Sequence, residues 1–162
     1  MIRVYTKESH ISKISNFFNE NKIDFEIFTV KDNSPLNEFE LGVSYCYPRK
    51  ITEPLLSTPK KGFVNFHPGP LPKYKGPNEY EDAIKNREIH WGVTVHFMDE
   101  NYDAGPVIQV KRFELHEPST SVQELGAISH YFLFDLFKNT IQDLYHGKFE
   151  EIRIKNHKPS DR

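Results

Sequence analysis

Only one cysteine, Cys46, and two methionines occur in 162 residues. A single thiol forbids an intrachain disulfide and removes the cysteine-based zinc sites. No HExxH or comparable paired motif takes their place, so no bound metal is expected, a zinc centre on His67, His96 and Asp103 included. Excess charge of one sign is also scarce. The 21 Lys plus Arg against 23 Asp plus Glu leave a net −2, too little to steer nucleic acid or an anionic membrane, and neither is an expected partner. No run approaches the roughly 18 apolar residues of a membrane helix. From Met1 to Tyr5 the chain passes directly to Lys7 and Glu8 without the basic flank, apolar stretch and cleavage pattern of a signal peptide, which predicts a cytoplasmic protein. Internal repeats and long linkers are missing too, so residues 1–162 are expected to form a single catalytic domain.

What the chain does have is aromatic mass: 13 Phe and 8 Tyr among 37% apolar residues supply a core. Ile2–Tyr5 reads as a strand, followed by a helix to about Asn21, capped by Ser9 or Ser12, with Ile11, Ile14, Phe17 and Phe18 on one side. Phe25–Val30 alternates as a second strand. Leu41–Tyr47, apolar on both faces, reads as a central parallel strand that buries Cys46 as an inert thiol. A short helix is expected at Pro54–Leu56 and a fourth strand at Phe63–His67. The Pro- and Gly-rich run from Pro68 to Pro77 excludes regular structure. Then come a helix at Glu79–Asn86, a strand at Gly92–Phe97 and an edge strand at Val107–Phe113. A long helix starts near Ser121, where Ser121 and Glu124 form a capping box, and ends at Gly147. Val122, Leu125, Ile128, Phe132, Leu136, Ile141 and Leu144 mark its apolar side. A last short strand is expected at Ile152–Ile154. Strand, helix, strand order predicts an α/β fold with a doubly wound, mainly parallel sheet. The aromatic helix and the edge strand are the two faces through which a homodimer would pair.

Ligands of such sheets bind beyond the carboxyl ends of the strands. Asn65 and His67 stand there, two apart and therefore on one face of their strand, and Asp103 lies in a loop ahead of Gly105. An amide donor, an imidazole and a carboxylate suit acyl transfer to an amine. Asn65 and protonated His67 would stabilise the oxyanion, while Asp103 would hold His67 cationic and accept or relay the amine's proton. One such preorganised donor contributes about 3–4 kcal/mol. His96, on the strand leading to the Asp103 loop, reads as a partly buried histidine satisfied within the fold.

The runs Phe63-Val64-Asn65-Phe66-His67-Pro68-Gly69-Pro70-Leu71-Pro72-Lys73-Tyr74-Lys75-Gly76, Trp91-Gly92-Val93-Thr94-Val95-His96-Phe97-Met98-Asp99 and Tyr102-Asp103-Ala104-Gly105-Pro106 strongly resemble the folate-dependent formyltransferase family. The resemblance extends from about Leu41 to Lys111. It implies the family's Rossmann-like formyltransferase fold and puts Asn65, His67 and Asp103 at the catalytic positions. It also implies 10-formyltetrahydrofolate as the formyl donor and co-substrate, with no metal. The family holds the pterin largely by backbone groups of two loops, which correspond here to Tyr47, Arg49, Lys50 and Ile51 and to Met98, Asp99 and Asn101. A cis Leu71–Pro72 bond shaping the loop over the site is implied as well.

Departures from the family narrow the acceptor. Only three strands precede Asn65, so the fold is expected to be shortened in its N-terminal half, lacking one strand-helix unit. The turn after the first strand, Thr6-Lys7-Glu8-Ser9-His10, has no glycine with which to build a phosphate nest, which disfavours glycinamide ribonucleotide. The second basic domain of methionyl-tRNA formyltransferases and the preceding regulatory domain of the deformylase are not expected either. What remains is a small-molecule amine, by elimination one on a nucleotide-linked amino sugar. Gly76, Glu79 and Tyr80 are the candidate acceptor contacts; surface charge and aromatic packing are the competing readings of Glu79 and Tyr80. Two alternatives stay open: hydrolysis of formyltetrahydrofolate by the same three residues, and a non-catalytic folate- or nucleotide-binding protein.

Overall fold

The computed structural model describes residues 1–152. Six strands form one mainly parallel sheet: β1 (Ile2–Thr6), β2 (Phe25–Phe28), β3 (Leu41–Tyr45), β4 (Phe63–His67), β5 (His90–Phe97) and β6 (Val107–Glu114), in the order β2-β1-β3-β4-β5-β6. The helices are α1 (Ile11–Glu20), α2 (Glu79–Lys85) and α3 (Val122–Tyr145). Among the described residues no helix is long and apolar enough to cross a membrane. The described residues divide into two compact units, residues 1–64 with 140–152 and residues 65–139, and both β4 and α3 run through the division.

In the first unit β1 is central, paired in parallel with β2 and with β3, and all five of its residues are buried. Its alternation hides a cation. Arg3 is 1% exposed, donates from Nε to Glu26 at 2.7 Å, from Nη1 to the Pro35 and Asn37 carbonyls and from Nη2 to the Asn37 side chain, and stacks over Phe39 at 4.4 Å. With every guanidinium arm matched, the charge ties the segment between β2 and β3 to the sheet. On α1 the buried stripe is Ile14 and Phe18. Its N-cap is His10 without a side-chain hydrogen bond, because Ser9 lies in a preceding 3-10 turn and Ser12 inside the helix. Strand β2 stops at Phe28 because Asp32 takes the Thr29 N–H, at 2.6 Å, into a turn. Strand β3 stops at Tyr45, and Cys46, half-buried, takes a positive φ of 51°. The short helix is a 3-10 turn at Leu55–Ser57.

The second unit carries the end of β4, the β5–β6 hairpin, α2 and most of α3. Strands β5 and β6 are antiparallel, and β6 is the sheet's edge, half-exposed along its length. Trp91 is 1% exposed amid Tyr74, Ala83 and Leu125, with Tyr80 and Phe113 packed against that cluster, and its indole donates to Ser129 at 2.8 Å. The buried stripe of α3 is Leu125, Ser129, Leu133, Leu136, Phe137, Thr140, Ile141 and Leu144. Val122 is 41% exposed, and Ile128 and Phe132 are only half-buried. At its start the Glu124 N–H does bond Ser121 Oγ, at 3.3 Å, but the Glu124 carboxylate accepts from Ser119, so half of the expected box forms. Ile152 ends a helical turn; residues 153 and 154 of the last expected strand lie outside the described residues.

Candidate active site

Alternation along β4 leaves Phe66 in the core and puts Asn65 and His67 on the other face, Asn65 half-exposed and His67 buried. The next ten residues are held at several points. Buried Thr94 of β5 donates to the Gly69 carbonyl at 2.8 Å and accepts the Leu71 N–H at 3.1 Å. The Tyr74 hydroxyl donates to Glu88 at 2.6 Å, its ring packs on Trp91, and the Leu71–Pro72 bond is cis.

Asp103 reaches the same place from the β5–β6 connection. That loop is self-bracing: the Phe97 N–H donates to the Pro106 carbonyl at 2.9 Å and the Asn101 N–H to Asp99 at 2.7 Å. Gly105 runs so close to β5 that a Cβ there would lie 1.8 Å from the Phe97 carbonyl oxygen, so only glycine fits. Asp103 itself takes φ 49°, a left-handed conformation that aspartate tolerates better than most residues.

The three groups converge. Asn65 Nδ2 donates to Asp103 Oδ1 at 3.3 Å, and His67 Nδ1 lies 3.5 Å from Asp103 Oδ2. The Gly76 N–H donates to Asp103 Oδ2 at 2.9 Å from a residue at φ 80°. His67 Nε2 is 2.6 Å from the Tyr74 carbonyl, which can only accept, so Nε2 carries a proton and Nδ1 faces the carboxylate. Burial pushes the His67 pKa down, against the pull of Asp103 and Tyr74, so the resting imidazole is neutral rather than the expected imidazolium. At Asp103 burial pushes up, but the His96 contact, the charge that His67 acquires in acid and the Gly76 N–H together hold it at about 2.

Two further groups touch these three side chains. His96 Nε2 sits 3.2 Å from Asn65 Nδ2 and 3.4 Å from Asp103 Oδ1, while Nδ1 donates to the Phe97 carbonyl at 2.9 Å. Asn65 Nδ2 thus stands between His96 and Asp103, with each contact at the long end of the hydrogen-bond range. The available signal was Thr94 and His96 as consecutive polar residues on one face of an otherwise apolar strand. The second is Tyr74, whose main-chain oxygen sets the His67 tautomer and which no side-chain pattern reveals.

The remaining candidates fall as follows. Tyr47 is half-buried with its ring edge-on to Tyr5 at 5.8 Å, Arg49 and Lys50 are exposed, and the Ile51 side chain is buried, all in the first unit. Met98 and Asp99 are half-buried and Asn101 exposed in the second unit. Glu79, the first residue of α2, is 7% exposed, and the Tyr80 ring packs 6.3 Å from Trp91. In the first unit a cleft of about 350 Å³ opens beside the turn after β1, lined by Thr6, Lys7, Glu8 and Lys31, with Lys31 paired to Glu8 at 2.7 Å.

The formyl transferase family model matches residues 21–130. The chain belongs to this family. Among its formyl transferase relatives, GDP-perosamine N-formyltransferase of Brucella melitensis is 38% identical over 82 residues, 51% of this chain and 32% of that one. Methionyl-tRNA formyltransferase of Halothermothrix orenii is 30% identical over 138 residues, 83% of this chain and 41% of that one. The chain therefore spans only about a third to two-fifths of these relatives' length. Its fold matches the formyltransferase PseJ from Anoxybacillus kamchatkensis, in complex with UDP-4,6-dideoxy-4-formamido-L-AltNAc and tetrahydrofolate (TM-score 0.74, 20% identity, 91% of this chain and 77% of that one). It also matches the Helicobacter canadensis N-formyltransferase in complex with folinic acid and dTDP-3-aminofucose (TM-score 0.74, 19% identity, 90% of this chain and 64% of that one).

Proposed function

We propose that this formyl transferase family member moves a formyl group from 10-formyltetrahydrofolate to a primary amine on a nucleotide-linked amino sugar, with Asn65, His67 and Asp103 as its catalytic residues. The observation that carries the reading is the convergence of the Asn65 amide and the His67 imidazole on the Asp103 carboxylate, each within 3.5 Å of it. Two relatives of matching fold are in complex with nucleotide-linked sugars and reduced folates, which supports the acceptor and donor classes. The glycine-free turn after β1 and its Lys31–Glu8 pair speak against a phosphate nest there.

The donor set fits a formyl carbonyl: neutral donors for its oxygen and a route for one proton, with no need of a metal. When bound, the folate supplies an activated one-carbon acyl group on nitrogen. Asn65 turns one amide hydrogen from Asp103 or His96 to the oxygen as charge builds there, which is cheap because both resting bonds are long. His67, neutral at rest, takes up a proton at Nδ1 and returns it to the leaving nitrogen. Asp103, at about 2, stays ionised throughout and stabilises the transient imidazolium. The main chain of Met98–Asn101 would hold the pterin, and Gly76, Glu79 and Tyr80 would border the acceptor.

The test is incubation with 10-formyltetrahydrofolate with and without a panel of nucleotide-linked amino sugars. Amine-dependent release of tetrahydrofolate and a formamide product is expected, falling at least 100-fold in Asn65→Ala. Amine-independent formate release would assign the hydrolase instead, and folate binding without turnover a non-catalytic protein.

A further inference from the structure

Glu79 has the burial of a core residue and the chemistry of a surface one. Its neighbours in the first turn of α2, Glu81 and Asp82, are exposed, where a carboxylate at a helix start is ordinarily found; Glu79 is 7% exposed. Its own backbone N–H bonds the carboxylate, yet Oε2 is buried with no hydrogen-bond partner. A buried polar atom left unpaired costs about 1–3 kcal/mol, and helix capping does not explain it, because the exposed acids of the same turn serve that purpose without the cost. The segment leading into α2 is tied to the catalytic loop, since Gly76, three residues earlier, donates its N–H to Asp103 Oδ2 at 2.9 Å. Burial raises the Glu79 pKa, and the charges of Asp103 and Glu81 raise it further. The two carboxyls influence each other and are pushed in opposite directions, Asp103 down to about 2 and Glu79 up. Groups separated in this way take different roles. Asp103 is too acidic to retain a proton at neutral pH, whereas an acid with a raised pKa is suited to receive one.

We propose that Glu79 is the acceptor-side general base of the site: its unpartnered Oε2 accepts a hydrogen bond from the reacting amine and then takes that amine's surplus proton. This rests on the formyl-transfer reading and adds to it the residue that selects an amine over a hydroxyl. The acceptor arrives as an alkylammonium, R–NH3⁺, against the Glu79 carboxylate. One N–H bond breaks and an O–H bond forms at Oε2, leaving R–NH2 with a free lone pair and Glu79 as the neutral acid. The amine nitrogen then bonds to the formyl carbon and its second surplus proton passes to His67 Nδ1, which hands it to the folate nitrogen as the bond from that nitrogen to the formyl carbon breaks. His67 is neutral again, and the proton on Glu79 leaves to solvent. An alcohol in place of the amine brings no cation to offset Glu79 ionisation, and is bound less well.

The experiment compares wild type, Glu79→Gln and Glu79→Ala, using 10-formyltetrahydrofolate and the nucleotide-linked amino sugar with the highest wild-type turnover. Glu79→Gln keeps shape and a hydrogen-bond acceptor but cannot take the proton, so kcat is expected to fall roughly 100-fold or more, with folinic acid affinity and thermal unfolding unchanged. Added acetate should restore part of the turnover of Glu79→Ala and none of that of Glu79→Gln, whose side chain fills the space, a rescue that a purely structural carboxylate would not show. Glu79→Gln with wild-type kcat, or Glu79→Ala unresponsive to acetate, overturns the assignment and leaves the formyl-transfer reading standing. Wild type inactive with every amine overturns both.

Discussion

Replacing Asp103 by Asn tests the electrostatics of the site through folding rather than catalysis. The Asp103 pKa lies at about 2 in the folded chain against 3.8 for an ordinary aspartate, and with 1.36 kcal/mol per pKa unit the difference corresponds to about 2 kcal/mol. The side chain is only 10% exposed, so solvent screening removes little of it. Because the folded pKa is the lower one, this stabilisation is fully present above the unfolded pKa near 4 and is lost as pH falls through about 2. Asp103→Asn should therefore be less stable than wild type by about 2 kcal/mol at pH 7, which is on the order of a 1 M drop in urea midpoint for a small protein. Between pH 4 and pH 2 the gap should close, as wild type protonates Asp103 and loses what the variant never had. Urea titrations followed by tryptophan fluorescence at pH 7, 5, 4, 3 and 2 read this directly, with other titrating carboxylates cancelling between the two proteins. A gap that stays constant or widens in acid would refute the assignment of a strongly stabilised carboxylate.

Three further perturbations probe other parts of the fold. Gly105→Ala puts a Cβ 1.8 Å from the Phe97 carbonyl and must displace the loop carrying Asp103; formyl transfer should drop at least 100-fold while circular dichroism stays native, and wild-type turnover would show the loop to be compliant. Arg3→Met removes a 1%-exposed guanidinium and strands the acceptors it served. A loss of about 3 kcal/mol is expected in thermal unfolding, with faster proteolysis between residues 31 and 40; an unchanged melt would mean that the buried cation adds no net stability. His96→Phe deletes a contact that lowers the Asp103 pKa. The acid limb of the turnover profile should move to higher pH, and a profile identical to wild type would remove His96 from the site.

Where local pattern and tertiary demand coincide, the chain is readable without coordinates. Phe63–His67 emerges with the same limits from either, because alternation, the Gly62 turn before it and Pro68 after it all act within a few residues. The edge strand β6 starts where alternation puts it, at Val107, and runs one residue past the expected Phe113. The strand ends at Phe28 and Tyr45 were less legible because each depends on one local choice, an aspartate turn and a positive φ at Cys46, that hydrophobicity does not encode. On α3 the periodicity placed Leu125, Leu136, Ile141 and Leu144 inside but favoured Phe132 over Leu133 and Phe137, since a stripe one residue wide cannot be phased from composition in so aromatic a helix. At the site, side chains at the ends of β4 and in the Asp103 loop could be found by their chemistry. His96 was marked only by sharing a strand face with Thr94, a weak signal because a histidine on an apolar strand has the same signature whether it packs or participates. The neutral state of His67 could not be found, because it is a property of its burial.

The atom that orients the His67 imidazole belongs to the peptide backbone, the carbonyl of Tyr74. An alanine scan is blind to such a contact: any substitution at position 74 keeps the oxygen while changing the ring that packs on Trp91 and the hydroxyl that bonds Glu88. Side-chain drift at this position is therefore buffered from the imidazole as long as the loop keeps its path. The dependence becomes visible only when the main chain itself is altered, for instance by an amide-to-ester exchange of the bond between Tyr74 and Lys75, which weakens the carbonyl as an acceptor and leaves every side chain in place.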